Sequence, residues 1–309
     1  MSSTTSVTPR IRRRHYNEIR VPSKIVVNLV FIALSIAIII PMWLAVSVSF
    51  SRESAMFRNG YRLIPEEFTT AAYSFIFAQP EIVLNAYGVT ILVTVVGSVV
   101  GLLISTSLAY VTVRRDYRYR NITSFIVFFT ILFHGGLVPF YMVVTRWLGL
   151  ANSLLALILP FLVIPIFVLF MKGFLQSLPK ELFDSAKIDG ATELRTFFQI
   201  VLPMSKPALA TVGLFFALRY WNDWFLALLF IEDFNRTPLQ LMLVRMMQNV
   251  QFMRENAEAM AAFAGNMEEL PGESLRMATL VVAAGPMLFV FPFFQRYFVR
   301  GLTVGSIKG

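Results

Sequence analysis

The stretch "KELFDSAKIDGATELRTFFQIVLP", residues 180–203, is a charged segment between two long apolar runs of the chain. Its first half predicts a helix with one apolar side, formed by Leu182, Phe183 and Ala186. Gly190 ends this helix, because glycine readily adopts the positive φ that a sharp turn requires. The stretch therefore predicts a short helix on a membrane surface that closes in a tight turn.

A second helical stretch, Glu193–Val201, follows the turn and leads through Pro203 back into apolar sequence. On the first helix, Leu182 and Phe183 would be exposed to water unless a groove of another protein covered them. We therefore predict a docking element for a partner protein. The alternative is an ordinary amphipathic loop.

The remainder of the chain has the composition of a membrane protein. Of its 309 residues, 57% are hydrophobic and only 15% are charged, with a mean hydropathy of +0.67, whereas soluble domains are about a quarter charged. Six apolar runs each approach the roughly 20 residues that a helix needs to cross a bilayer. These runs are Ile25–Phe50, Asn85–Val113, Ile122–Thr145, Ser153–Met171, Pro207–Ile231 and Met277–Tyr297. The predicted fold class is an all-α membrane protein with six transmembrane helices.

The basic residues fall unequally on the two sides of these spans. Of 27 Lys and Arg residues, 18 lie on the side of the N-terminus. By the positive-inside rule, both termini are predicted to be cytoplasmic. The net charge of +9 is thus mainly a topology signal, and nucleic-acid binding is not expected.

The spans and charges divide the chain into four parts. Residues 1–24 are a basic cytoplasmic tail, and residues 25–84 hold the first transmembrane helix and an outer loop. Residues 85–298 form a core of five transmembrane helices, and residues 299–309 form a cytoplasmic tail. Within the core lie the inner loop 178–206 and the outer segment 232–276.

The outer segment contains a methionine-rich amphipathic pattern. Apolar residues recur at helical spacing at Leu239, Met242, Met246, Met247, Val250 and Met253. The favoured interpretation is packing on the ends of the spans. The alternative is a docking surface for an external partner, since adaptable methionine faces are common in such surfaces.

No catalytic or metal site is expected in this chain. Cysteine is absent and only His15 and His134 are present, which excludes thiolate sites and makes histidine clusters implausible. The phosphate-binding pattern G-x-x-x-x-G-K-[ST] is also absent.

The quoted stretch resembles the coupling loop of binding-protein-dependent ABC importer permeases. Asp184-Ser185-Ala186, three residues, Gly190, nine residues and Ile200-x-Leu202-Pro203 match the spacing E-A-A, x3, G, x9, I-x-L-P. Asp184 and Ser185 depart mildly from that pattern. The resemblance implies a type I permease fold and an ATPase-coupling role for Glu181, Leu182, Phe183, Asp184, Ser185, Ala186, Gly190, Ile200, Leu202 and Pro203.

The resemblance extends over nearly the whole chain. "YWNDWFLALLFI" (220–231) and "FFQRYFVRGLTVGSIKG" (293–309) look like the smaller permease of maltose-type carbohydrate importers. "HGGLVPFYMVVTRWLGLANS" (134–153) looks like the subgroup related to LplC and YtcP, often associated with complex or acidic oligosaccharides. His134 itself departs from that pattern, and together with Gly135-Gly136 and Pro139 it predicts a kink in the third span.

The resemblance also implies the setting of the chain. It implies a bacterial inner membrane with surrounding lipid, a second permease subunit in a heterodimer, two ATPase subunits and an extracytoplasmic solute-binding protein. ATP and Mg²⁺ would bind to the ATPases, and this chain would hold no cofactor.

Polar residues near the middle of the fifth span are candidates for an oligosaccharide path. A lone charge at this depth costs about 2.5–3.5 kcal/mol on insertion scales, so it faces a partner helix or a wet cavity. The candidate path residues are Arg219, Tyr220, Asn222, Trp224 and His134. The alternatives are an intrahelical ion pair between Arg219 and Asp223, and for His134 a packed, neutral side chain, which is favoured.

Two further function classes compete with the importer subunit. A self-powered secondary transporter is expected to show internal repeats and several intramembrane carboxylates, and Asp223 is the only clear candidate. A membrane-embedded enzyme would need clustered nucleophiles, bases or metal ligands on neighbouring spans. The sequence also carries Gly97 and Gly101 as G-x-x-x-G, which favours close helix packing.

Overall fold

The structure, a computed structural model, describes residues 21–179, 181–256 and 272–305. Within these ranges the chain is helical apart from loops and one isolated β-bridge between Ser51 and Phe68. Most of the tail predicted for residues 1–24 and the end of the tail predicted for 299–309 lie outside the described residues.

The described part of the chain folds into a succession of helices of very different lengths. In chain order they are α1 Val21–Ser49, α2 Glu53–Asn59, α3 Ala71–Ile76, α4 Pro80–Val113, α5 Arg120–Leu132, α6 Leu137–Met142, α7 Leu155–Ile158, α8 Pro165–Gln176, α9 Glu181–Ile188, α10 Glu193–Thr196, α11 Leu202–Met204, α12 Lys206–Trp221, α13 Phe225–Phe230, α14 Leu239–Glu255 and α15 Glu273–Gly305. π-Helical turns at Val143–Trp147 and Phe197–Val201 continue α6 and join α10 to α11, and 3-10 turns lie at Leu159–Phe161 and Phe234–Arg236.

Three described helices, α1, α4 and α15, are long and apolar enough to cross a membrane without interruption. Three further pairs of helices qualify together but are bent: α5 with Leu137–Trp147 by 118°, Leu155–Phe161 with α8 by 46°, and Glu193–Met204 with α12 by 84°. The number of spans reaches the predicted six if each bent pair is one span. The expectation of an uninterrupted transmembrane helix is wrong for the fourth and fifth spans.

Glycine and proline account for these breaks. Gly136 has a φ of 88° at the sharpest bend, and Ile164 is extended, as residues before proline usually are. The kink predicted around His134 is thereby confirmed. The 84° bend lies just before the fifth run, Pro207–Ile231, and the run itself is interrupted once, because α12 ends at Trp221 and α13 begins only at Phe225.

Helix α4 is the centre of the packed core. A Cβ atom on Gly97 would lie 2.4 Å from the Tyr220 ring, and one on Gly101 would lie 2.8 Å from the Phe216 ring. Only glycine at these two positions lets α12 approach α4 this closely. The close packing predicted from G-x-x-x-G is confirmed, and the interface lies inside this chain. These four residues are called the glycine junction below.

The end of the bundle that carries Arg114–Arg120 and α9 is called the basic end. At the opposite end, the buried Glu53 carboxylate accepts hydrogen bonds from the backbone N–H groups of Gly272, Glu273 and Ser274, at 3.0 to 3.3 Å. A carboxylate at a helix N-terminus satisfies unpaired donors and the helix dipole. Glu53 therefore holds the start of α15 against α2.

Helix α14 covers the opposite end as a packed element. Leu239, Met242 and Val250 are buried in a cluster with residues of α3, α4 and α15. The Leu239 N–H also donates to Thr90 Oγ1 at 2.8 Å. For these residues the packing interpretation of the methionine-rich segment is confirmed.

Candidate functional site

The coupling segment, Glu181–Met204, begins with α9 and its closing turn. Gly190 has a φ of 72°, as the sequence predicts. Its N–H donates to the Lys187 carbonyl at 3.2 Å, and the Ala191 N–H donates to the Ala186 carbonyl at 2.9 Å. This is the Schellman pattern, which satisfies the last carbonyls of a helix and fixes the direction of the following chain.

The apolar side of α9 packs inside the chain. The Phe183 ring lies 6.3 Å from the Tyr110 ring of α4, and the Arg114 guanidinium lies 5.9 Å from the Phe183 ring. Leu182 and Phe183 are half-buried, and Ala186 is buried. The expectation that Phe183 lacks a partner in its own chain is wrong, because α4 ends beside it.

Arg114 joins the end of α4 to the coupling segment. Its guanidinium lies 2.6 Å from Glu193 Oε1 and 2.8 Å from Asp116 Oδ2. The Tyr110 hydroxyl donates to Glu193 Oε2 at 2.6 Å. Tyr110, Arg114, Phe183 and Glu193 are called the polar junction below. Its charge-assisted hydrogen bonds are stronger than neutral ones.

Asp116 extends this network to α9. Lys187 Nζ lies 3.6 Å from Asp116 Oδ2. Partial burial opposes the charge of Asp116, but its hydrogen bond with Arg114 and the charges of Arg114 and Lys187 outweigh burial and lower the pKa of Asp116. The carboxylate is therefore ionised at neutral pH.

Other apolar residues of the coupling segment face away from the bundle. The exposed fraction is 86% for Ile188, 72% for Leu194 and 56% for Phe198. Glu181, Asp184, Ser185 and Pro203 are exposed as well, whereas Ile200 and Leu202 are half-buried at the bend. The segment thus exposes apolar side chains together with the acidic Glu181 and Asp184 and the basic Lys187 and Arg195.

The predicted ion pair within the fifth span does not form. The Arg219 guanidinium instead lies 4.0 Å from the centroid of the Phe161 ring, a cation–π contact. Arg219 and Asp223 do not share one helical face, because α12 ends between them at Trp221. The intrahelical interpretation is wrong for this geometric reason.

Two side chains beside Arg219 are buried and hydrogen-bonded to other parts of the chain. Tyr220 is 3% exposed and its hydroxyl donates to the Ile158 carbonyl at 2.8 Å, so its predicted place in a substrate path is wrong. Trp221 is buried and its indole N–H donates to the Ala283 carbonyl at 2.8 Å, which ties α12 to α15.

The other candidate path residues are exposed. Arg219, Asn222 and Trp224 surround the break after α12, and the Asn222 amide also donates to the Leu218 carbonyl at 2.9 Å. His134 is exposed at the break after α5, so it does not pack inside its own chain. Their contact with a substrate stays a prediction.

Sequence reasoning missed Arg114, Glu193, Phe161 and Ile188. In the sequence, Arg114 is one of the 18 basic residues on the side of the N-terminus, and Ile188 is one of several apolar residues of the coupling segment. Helical spacing on α9 separates Ile188 from Leu182 and Ala186, which could have indicated a second face. Nothing in the sequence pairs Arg114 with Glu193, which are 79 residues apart.

Comparison with known proteins identifies the family to which this chain belongs. Residues 97–304 match the family model described as "Binding-protein-dependent transport system inner membrane component". The chain belongs to the inner-membrane permeases of carbohydrate ABC importers.

Two relatives of the permease come from Bacillus subtilis (strain 168). Protein LplC is 38% identical over 271 residues, covering 88% of this chain and 90% of LplC. The "Polygalacturonan/rhamnogalacturonan transport system permease protein YtcP" is 37% identical over 277 residues, covering 88% of this chain and 93% of YtcP. The type I permease fold is supported by a crystal structure of a bacterial ABC transporter involved in the import of the acidic polysaccharide alginate. Its matching chain has a TM-score of 0.74 and 25% identity, covering 95% of this permease and 100% of that chain.

Proposed function

We propose that the permease is one half of a heterodimeric membrane channel driven by two ATPase subunits and supplied by an external solute-binding protein. ATP and Mg²⁺ bind to the ATPases, while this chain binds no cofactor and carries out no catalysis. The basic end, with its Arg and Lys residues, faces the cytoplasm together with both termini. Family membership favours this assignment over a self-powered transporter.

The observation that carries the proposal is the exposed surface of the coupling segment. Ile188 and Leu194 are among the most exposed apolar side chains of the basic end, and they flank the fixed turn at Gly190. An apolar side chain held rigidly in water is a feature of a surface that another protein covers. Asp184 and Glu181 add acidic groups that suit basic residues of an ATPase.

Helix α4 offers a route by which motion of the coupling segment reaches the membrane. The polar junction lies at the end of α4, and the glycine junction lies about 20 Å away along the same helix, at about 1.5 Å per residue. A displacement of α9 by the ATPase is thus carried through α4 to α12, which holds Arg219. Alternating access follows if these elements move together against the rest of the assembly.

The substrate is an oligosaccharide with acidic groups. Arg219 and Trp224 are exposed at a break in an apolar span, where a guanidinium requires a wet cavity or a partner. An aromatic ring stacks on a sugar, and a guanidinium binds a carboxylate through two hydrogen bonds. The name of the relative YtcP refers to polygalacturonan, and the alginate importer carries an acidic polysaccharide.

The docking proposal is tested by co-purification of the ATPase with Ile188→Asp. We expect the variant to lose the ATPase, because a charge replaces an exposed apolar contact without disturbing the core. The matched control is Ile64→Asp, whose side chain is 77% exposed in the loop before α3, and which should retain the ATPase. Equal retention by both variants would overturn the docking assignment.

The substrate proposal is tested by uptake of acidic and neutral oligosaccharides in reconstituted complexes. Arg219→Gln should reduce uptake of uronate-containing oligosaccharides about tenfold or more, since a hydrogen bond to a charged group contributes about 1.5–3 kcal/mol. Uptake of neutral oligosaccharides should be nearly unchanged. Equal loss for both classes would mean that Arg219 has a structural role through Phe161.

A further inference from the structure

A basic cavity lies at the basic end, beside the coupling segment. It has a volume of about 710 Å³ and is formed by the ends of α4, α5, α8 and α9 and the turn between α4 and α5. Basic side chains on its wall are Arg114, Arg115, Arg120, Lys172 and Lys187, and the acidic ones are Asp116 and Asp184. Five basic and two acidic groups leave a formal excess of three positive charges.

The positive groups of this cavity are only partly neutralised by the chain itself. Arg114 and Lys187 are paired with Asp116 and Glu193. Among the described residues, Arg115, Arg120 and Lys172 have no carboxylate within 4.0 Å. The Lys172 ammonium donates to Ser124 Oγ at 2.9 Å, which holds it at the junction of α8 and α5. A cavity with unneutralised, positioned cations favours an anion.

An apolar stripe on α5 continues from the cavity. Asn121 lies on the cavity wall, and Phe125, Phe128 and Leu132 follow it at helical spacing on the same face. Their exposed fractions are 63%, 49% and 60%. Helix α5 is part of a candidate membrane span, so this stripe is at the depth of acyl chains. A basic cavity that is followed along α5 by an apolar stripe matches the charged headgroup and the acyl chain of a phospholipid.

We propose that the cavity binds the phosphate headgroup of an anionic phospholipid, with an acyl chain along Phe125, Phe128 and Leu132. Basic pockets between transmembrane helices at one membrane surface bind anionic headgroups in this manner. Because Arg120 and Lys172 belong to α5 and α8, the headgroup joins these two helices through charge, directly beside the coupling segment.

The test uses the full-length chain in phosphatidylcholine nanodiscs titrated with short-chain phosphatidylglycerol, with bound lipid counted by native mass spectrometry. Lys172→Gln and Arg120→Gln should each weaken phosphatidylglycerol binding about fivefold, which corresponds to one basic contact near an anionic surface. Lys172→Arg, which keeps the charge, should restore most of the affinity. The matched control is Arg118→Gln, a neighbouring basic residue outside the cavity, and it should bind as the wild type does.

Three outcomes would overturn the proposal. The first is equal binding by wild type, Lys172→Gln, Arg120→Gln and Arg118→Gln. The second is full displacement of the lipid by inorganic phosphate at matched concentration, which would assign the cavity to a free anion. The third is unchanged lipid binding by Lys172→Gln together with loss of the ATPase in co-purification, which would assign the cavity to an acidic segment of that partner. None of these results depends on the identity of the transported sugar.

Discussion

Helix α4 makes two junctions that differ in their physical nature. At the glycine junction, Gly97 and Gly101 lie directly against the rings of Tyr220 and Phe216. At the polar junction, Arg114 and Tyr110 bind Glu193 through hydrogen bonds. The glycine junction depends on the absence of side-chain atoms at two positions. The polar junction depends on charge and on long polar side chains.

This difference suggests how the two junctions respond to substitutions. Interiors of close-packed helices have no room for an extra methyl group, so a steric contact fails as soon as one atom is added. Glu193 and Asp116 are 61% and 49% exposed, so water and salt partly replace lost ion pairs. We infer that the glycine junction fixes α4 to α12 by close steric contact, whereas the polar junction holds the coupling segment to α4 through several polar contacts that tolerate the loss of one of them.

The largest effect is expected from Gly97→Ala. The added methyl group would lie 2.4 Å from the Tyr220 ring, so α4 and α12 must separate or the ring must leave its site. Overpacking of this kind costs about 1–3 kcal/mol. Thermal unfolding of the purified complex should shift to lower temperature, and uptake should fall because α12 carries Arg219.

Gly88→Ala is the matched control on the same helix. Nothing lies within 4 Å of a Cβ atom at Gly88, and alanine is preferred over glycine within a helix. The control should keep wild-type stability or exceed it slightly. If both variants unfold at the same temperature as the wild type, the steric account of the glycine junction is wrong.

An intermediate effect is expected from Arg114→Gln. The variant should lose only about 1 kcal/mol of stability, because the acidic partners of Arg114 are half exposed. It should nevertheless reduce the sugar transported per ATP hydrolysed, which is measured in proteoliposomes. Arg114→Lys keeps the charge but loses the planar fork, and should lie between wild type and Arg114→Gln. Unchanged coupling in Arg114→Gln would remove this residue from the transmission route.

The smallest effect concerns pH. The pKa of Asp116 is lowered in the folded chain, so its stabilising contribution is present above the ordinary aspartate pKa of about 3.9 and is lost as pH falls through the lower folded value. The stability difference between wild type and Asp116→Asn should be constant from about pH 8 to 5 and shrink below about pH 4. A difference that changes near neutral pH would contradict the assigned pairing.

Features of the fold that depend on neighbouring residues could be predicted from the sequence. Gly190 and its spacing predicted a turn that the structure shows in full hydrogen-bonded detail. Gly97 and Gly101 predicted a close helix contact but not the rings that occupy it. Such features can be predicted because glycine affects only the backbone conformation and the close contacts of its own position.

Features of the fold that depend on residues far apart in the chain could not be predicted from the sequence. The break after Trp221 separates Arg219 from Asp223, and at this break the Trp221 indole N–H donates to the Ala283 carbonyl of α15, 62 residues away. The position of Phe161 beside Arg219 depends on a different span. Hydropathy detects an apolar run but does not detect where the helix within it is interrupted, so the breaks in the fourth and fifth spans were found only in the structure.

The transmission route requires that α9 and α4 move as one body during transport. The chain contains no cysteine, so Asp116→Cys and Lys187→Cys can be joined by a short reducible cross-linker in a complex whose other subunits are also cysteine-free. We predict that the cross-linked complex transports sugar at the rate of the uncross-linked double variant. A block of transport that is relieved by reduction would show that α9 must slide along α4, and would contradict this central claim.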